Sequence, residues 1–298
     1  MRPRETERGS IAILVLWGVA LIFMLITPVA FATRGEIQIA RNALAESRAR
    51  FAAEAGTQFG LLRLLRRHDA GASAFDGMPE SWQQGSTRVA ISIADEAGKV
   101  DLNLAPLDLL AGLFEAAGEP PAAALLIACN VVDRRGDNGV GCPEPDAPHA
   151  GRRFAVPEEF AELPGVDDRL YGRVADAITV ASGASAIDPR VAARLVLLAI
   201  PGATEGLVDS FLGSRAMWRD LGSADAELIP AAAAEYLMVS PRRDYTITAV
   251  ATTSDGARYR AELQVRLTGR AAQPYQVIAW RAPPVDRGVV PAKARATP

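Results

Sequence analysis

The residues able to do chemistry are few and loosely grouped. Histidine occurs only as His68 and His149, which leaves little for imidazole catalysis or a zinc site. Serine, aspartate and histidine are present, but no GxSxG, HExxH or GxxxxGK run sets them in a catalytic or phosphate-binding arrangement. Glu158 and Glu159 follow Pro157, and adjacent helical side chains point apart, so this pair is charge at a helix start and not a carboxylate dyad. The densest oxygen set runs from Asp133 to His149 and includes Asp133, Asp137, Asn138, Glu144 and Asp146, with Gly136, Gly139 and Gly141 between them. Clustered oxygens on a flexible loop suit Ca²⁺, which takes six to eight of them. The spacing is not that of an EF-hand, and Arg134 and Arg135 dilute the charge, so a solvated acidic loop has the same composition. Cys129 and Cys142 complete the inventory. In a reducing compartment their spacing says little, whereas in an oxidising one it closes a short loop.

A chain of 298 residues must position these groups, enough for one to three domains. Its net charge of -3 gives no bulk attraction to nucleic acid. From Ser10 to Ala32 no residue is charged. As a helix, that run is roughly 34 Å long at about 1.5 Å per residue, enough for a hydrocarbon core of about 30 Å. Arg2, Arg4 and Arg8 precede it, so the positive-inside rule holds the N-terminus in the cytoplasm and exports everything after residue 33. The run exceeds a signal-peptide core and passes into a helical pattern without a break, which favours a retained anchor over a cleaved signal. Beyond the membrane, Ile37, Ala40, Leu44, Phe51, Ala55, Phe59, Leu62 and Leu65 recur at three- and four-residue spacing. One helix is expected from about residue 11 to residue 66, and its outer apolar stripe needs a cover.

Residues 68–85 are rich in Gly, Ser and Asp and are expected to form a loop. Val89, Ile91 and Ile93 alternate with polar neighbours, predicting a strand over 87–95, and Val100, Leu102 and Leu104 predict a second. Residues 105–240 are helical in pattern; strand signals return at 245–253, 258–268 and 275–280. Beta, helical block and beta again make an insertion into a sheet, not two tandem domains. The fold class is α+β: a long N-terminal transmembrane and amphipathic helix packed on an antiparallel sheet, with a large all-helical insertion. The parts are 1–9, 10–32, 33–104, 105–240, 241–281 and a proline-rich tail, 282–298, expected to be disordered. Within the insertion, Glu162–Ile178 and Ala199–Leu212 each place apolar-Pro-Gly-apolar before a helix, resembling the helix-hairpin-helix unit of DNA-binding proteins. A competence-type DNA receptor is therefore the rival reading. Asp167, Asp168 and Glu205 oppose it, because carboxylates there repel phosphate.

A charged leader ending in Arg8-Gly9, followed at once by a long apolar helix, resembles a type IV prepilin leader. Asp95–Leu110, Asn130–Asn138, Phe154–Val166 and Tyr275–Trp280, taken in order, resemble the minor pseudopilin K family of type II secretion. The resemblance implies cleavage by a prepilin peptidase between Gly9 and Ser10. It also implies a fifth mature position, here Leu14, that lacks the glutamate of most pilins. Arg134 stands where the family often has tryptophan. The implied protein is not an enzyme. It is an inner-membrane, single-pass subunit with a periplasmic domain, capping the pseudopilus tip and starting its assembly. Implied partners are the I-type and J-type minor pseudopilins, then H and the major pseudopilin G, with no nucleic acid. The face Ile37, Leu44, Phe51 and Phe59 is expected to meet partner helices. Ca²⁺ is implied in the helical part, with Asp133, Asp137 and Asn138 as candidate ligands. Export to an oxidising compartment leads us to expect a Cys129–Cys142 bond.

Overall fold

The computed structural model describes residues 6–69, 77–137, 142, 151–221, 231–239 and 243–283; side chains are described for these except 6–13, 25–35, 67–69, 216–221 and 231–232. Residues 284–298, expected from sequence to be disordered, lie outside the described residues.

Helix α1 (Thr6–Asp69) is continuous, as the unbroken apolar and then amphipathic pattern requires. It crosses one face of a five-stranded antiparallel sheet of order β1-β2-β5-β6-β7. The strands are β1 (Glu80–Gln84), β2 (Thr87–Asp95), β5 (Asp244–Thr252), β6 (Arg258–Arg270) and β7 (Gln273–Arg281). Neighbours β2 and β5 pair from Arg88↔Thr252 to Asp95↔Tyr245, and everything between Asp95 and Asp244 is inserted at that point.

Two expectations change. Part of 68–85, expected as loop, is the edge strand β1, which turns into β2 at Gly85 with φ 58°. Its polar sequence ESWQQ hid it, since only Trp82 turns an apolar ring inward, stacking on Phe59 at 5.2 Å. The second strand near 100–104 does not join this sheet. It is β3 (Val100–Asp101), paired in parallel with β4 (Ile178–Thr179) inside the insertion, which is therefore not all-helical as expected.

The insertion has its own core. Helices α2 (Leu107–Ala116) and α3 (Pro121–Arg134) pack Leu109, Leu110, Leu113, Phe114, Ile127 and Val131 together. Helices α4 (Asp168–Val174), α5 (Arg194–Leu198) and α6 (Glu205–Leu221) close around them. A separate core lies between α1 and the sheet. The two meet at a 3₁₀ turn, Glu96–Gly98, started by the Asp95 carboxylate accepting from Ala97 N–H at 3.0 Å. Asp188 N–H donates to Ala97 O at 2.7 Å and so ties the far side of the insertion to this turn.

Candidate functional site

The side of α1 against the sheet is built mostly of small residues. Ala49, Ala52, Ala53, Gly56, Gly60, Leu61 and Leu64 are buried, facing Val89, Ile91, Ile247, Ala249 and Ala261. The approach is close enough that a Cβ on Gly60 would lie 2.5 Å from Ile247 Cγ2, and one on Gly56 2.8 Å from Val89 Cγ1. A backbone this near the sheet turns the stripe of bulky residues outward. The signal was present as small residues at helical spacing, but it was masked by the stronger amphipathic pattern beside it.

Ile37, Leu44 and Phe51 are consequently 47%, 51% and 66% exposed, and Leu62 is exposed with them. Phe59, expected on the same partner face, is instead half-buried and stacked on Trp82. At the sheet's far edge β7 presents Val277, Ile278 and Trp280 to solvent. A groove of about 550 Å³ runs between this edge and α1, lined by Arg50, Phe51, Glu54, Ala55, Gln58 and Trp280. The described surface is thus an apolar face of one helix continued by a groove against an edge strand.

The other sequence candidates are dispersed. Gly9 and Ser10 lie within the backbone of α1, and Leu14 is exposed on it. Among the described residues no helix is long and apolar enough to cross a membrane; the apolar run ends at Ala32, and the side chains of residues 25–35 lie outside the description. Cys129 and Cys142 are joined, with a Cα–Cα distance of 5.5 Å, fastening the loop after α3 to that helix. Arg152 N–H closes the same loop onto Arg134 O at 2.9 Å. Arg134 lies over the Phe154 ring at 4.8 Å and bonds Glu159 at 2.9 Å, so its flat cation stacks where the family often has an aromatic ring. Asp133 stands at the end of α3, and the Asp137 carboxylate pairs with Arg135 at 2.7 Å. Among the described residues no group of three or more His, Cys, Asp or Glu assembles to hold a metal, and Asn138, Glu144 and Asp146 lie outside them.

The two apolar-Pro-Gly-apolar segments fold alike. Val166 N–H returns to Leu163 O at 3.2 Å, and Ala203 N–H to Ile200 O at 2.9 Å. Gly165 and Gly202 hold φ of 83° and 80°, the left-handed geometry that the third residue of a type II turn needs. The charge around them is spent internally. Asp167 caps α4 through Leu170 N–H, Arg173 bonds Glu119, and Arg194 pairs with Asp209. Arg215 bonds the carbonyls of Pro189 and Ala192. These turns start helices in the insertion core and present no basic groove for DNA.

A long helix on an antiparallel sheet, with a helical block inserted between neighbouring strands, is the architecture of a pseudopilin. Its particular form is GspK-like. The chain is similar in structure to a chain of the GspK-GspI-GspJ complex from the type 2 secretion system of enterotoxigenic Escherichia coli. The TM-score is 0.53 at 14% identity, over 85% of this chain and 99% of that one. No family model and no curated protein matches the sequence, so the likeness is one of fold.

Proposed function

We propose that the chain is a minor pseudopilin of the K kind, which caps the tip of a type II secretion pseudopilus and helps to start its assembly. The observation that carries this reading is the helical insertion between β2 and β5 on a pseudopilin head. Such bulk obstructs a subunit stacked above, whereas a tip position leaves it free. Leu14 supports the same placement. In a pilus-like filament, a glutamate at the fifth mature position neutralises the N-terminal amine of the subunit above, and a buried charge without a partner is costly. A tip subunit has no amine above it, so leucine there strands nothing.

In this reading the run Ser10–Ala32 anchors the chain in the inner membrane with its head in the periplasm. Prepilin peptidase cuts after Gly9. The exposed face of α1 meets the I-type and J-type minor pseudopilins, with H and the major pseudopilin G below them. The similar solved complex holds GspK with GspI and GspJ, which supports the first two partners. No catalytic role is assigned. The mature protein extracted from membranes is expected to start at Ser10, and labelled copies to sit singly at filament ends. A chain beginning near residue 33, or label spread along filaments, would overturn the reading.

Calcium belongs to the same proposal, at the loop after α3, with Asp133, Asp137 and Asn138 among its oxygens. Binding to the native state alone raises stability by mass action. The melting temperature is expected to rise between EDTA and millimolar Ca²⁺; an unchanged value removes the ion.

A further inference from the structure

The exposed face of α1 specifies more than an apolar partner. Ile37, Leu44 and Phe51 recur every seven residues, and the exposed positions between them, Ala40 and Ser47, are small. Large and small residues alternating along a heptad seam fit knobs-into-holes packing by a second helix, which must approach closely where the side chains are short. At its outer end the seam runs into the groove beside Trp280, lined also by Phe51, Ala55 and Gln58. Arg50 and Glu54, on that groove's rim, neutralise each other at 2.8 Å.

One flank of the seam carries Arg41 and Arg48, also seven residues apart and four residues beyond Ile37 and Leu44. Both are exposed, and neither makes an ion pair or hydrogen bond within the described chain. Glu36 and Glu46 are near in sequence, but five- and two-residue separations place them on other faces of the helix. Two unpaired cations at heptad spacing beside an apolar seam stand at the positions that choose a coiled-coil partner by charge.

Resting on the pseudopilin reading, we propose that Arg41 and Arg48 choose by charge the amphipathic helix that lies on this face of α1. That helix carries an apolar heptad stripe and, on the flank facing Arg41 and Arg48, carboxylates seven residues apart. Its last apolar side chain enters the groove between α1 and β7. The carboxylates select this partner helix and set its register.

The test uses the full-length chain in detergent extracts of membranes that also express the I-type and J-type minor pseudopilins, which serve as the probe. Capture of at least one of them is expected to fall roughly ten-fold with Arg41→Glu plus Arg48→Glu. It should survive Arg41→Lys plus Arg48→Lys, and weaken for the wild type at about 0.5 M salt as the charges are screened. Both positions are exposed, so the melting temperature should not move; that separates lost binding from lost folding. Capture indifferent to both charge reversal and salt overturns this inference and leaves the pseudopilin reading standing. Failure of the wild type to capture either subunit defeats both. Capture of a second copy of this chain, or of anionic lipid, in place of the pseudopilins also overturns it.

Discussion

Gly112→Ala is expected to lower the stability of the folded head by about 2–3 kcal/mol, although alanine is the better helix former by about 1 kcal/mol. A Cβ at Gly112 would lie 2.1 Å from the carbonyl oxygen of Ala199. That oxygen is backbone at the end of α5, so the clash is relieved only by moving one helix off another in the insertion core. Gly60→Ala should act in the same direction, because the built Cβ meets Ile247 Cγ2, fixed on a branched and fully buried side chain, with Ile91 Cγ2 3.1 Å away. Gly172 and Gly213 give the opposite sign. Both are helical with nothing within 4 Å of a built Cβ, so alanine there should stabilise by about 0.5–1 kcal/mol. Urea unfolding of the purified chain, followed by circular dichroism, separates the cases. Stabilisation by Gly112→Ala would mean that α2 and α5 do not pack as described.

Lys99→Met is expected to cost about 3 kcal/mol, and the loss should shrink as the pH falls. Glu96 is 2% exposed; its carboxylate bonds Lys99 Nζ at 2.7 Å and accepts from the Thr179 hydroxyl. Burial alone would raise its carboxyl. The Lys99 charge, with hydrogen bonds from Lys99, Thr179 and Thr246, more than offsets that and holds it below the ordinary carboxylate value. Because the folded value is depressed, the wild-type pair contributes its stability above the unfolded carboxylate range, near about 4.3, and loses it as the pH drops through the lower folded value. Without the cation, burial is largely unopposed and the folded value rises. The variant then regains stability on acidification while the wild type loses it. Asp101 adds a slope of opposite sign to the wild type, since burial lifts its carboxyl despite hydrogen bonds from Asn103, Ser182 and Gly183. Glu96→Gln on the Lys99→Met background should recover much of the loss, because it removes the stranded charge. A cost independent of pH would assign Lys99 a packing role only.

What could be read from the sequence was whatever repeats. The long helix, β2, β5, β6 and β7, and the insertion between strands all follow from apolar periodicity and its changes. The hidden parts lacked that signal. Edge strand β1 has one apolar anchor in five residues, and a two-residue pair such as β3–β4 has no period. The candidate surface was half legible: Ile37, Leu44 and Phe51 do face outward, but the reason lies in Gly56 and Gly60. A pattern of hydrophobicity does not register a missing side chain, although that absence decides which face of α1 lies on the sheet. Leu14 and the Gly9–Ser10 junction are the reverse case, meaningful only by resemblance.

Joining β2 to β5 across the whole insertion also sets an order of events for the newly made chain. Asp95 and Tyr245 end up side by side although about 150 residues separate them. By loop-closure entropy, bringing those ends together costs about 2 kcal/mol more than closing a ten-residue hairpin. The helical block lowers that cost if it condenses first, since Asp188 N–H bonds Ala97 O at one end and Ile187 bridges Leu237 near the other. Until β5 has been made, α1 has only β1 and β2 to lie on. For that interval the glycine-bearing side of the helix is exposed together with its outward stripe. The chain then has two open flanks instead of one, and its risk of mispairing is greatest before β5 arrives.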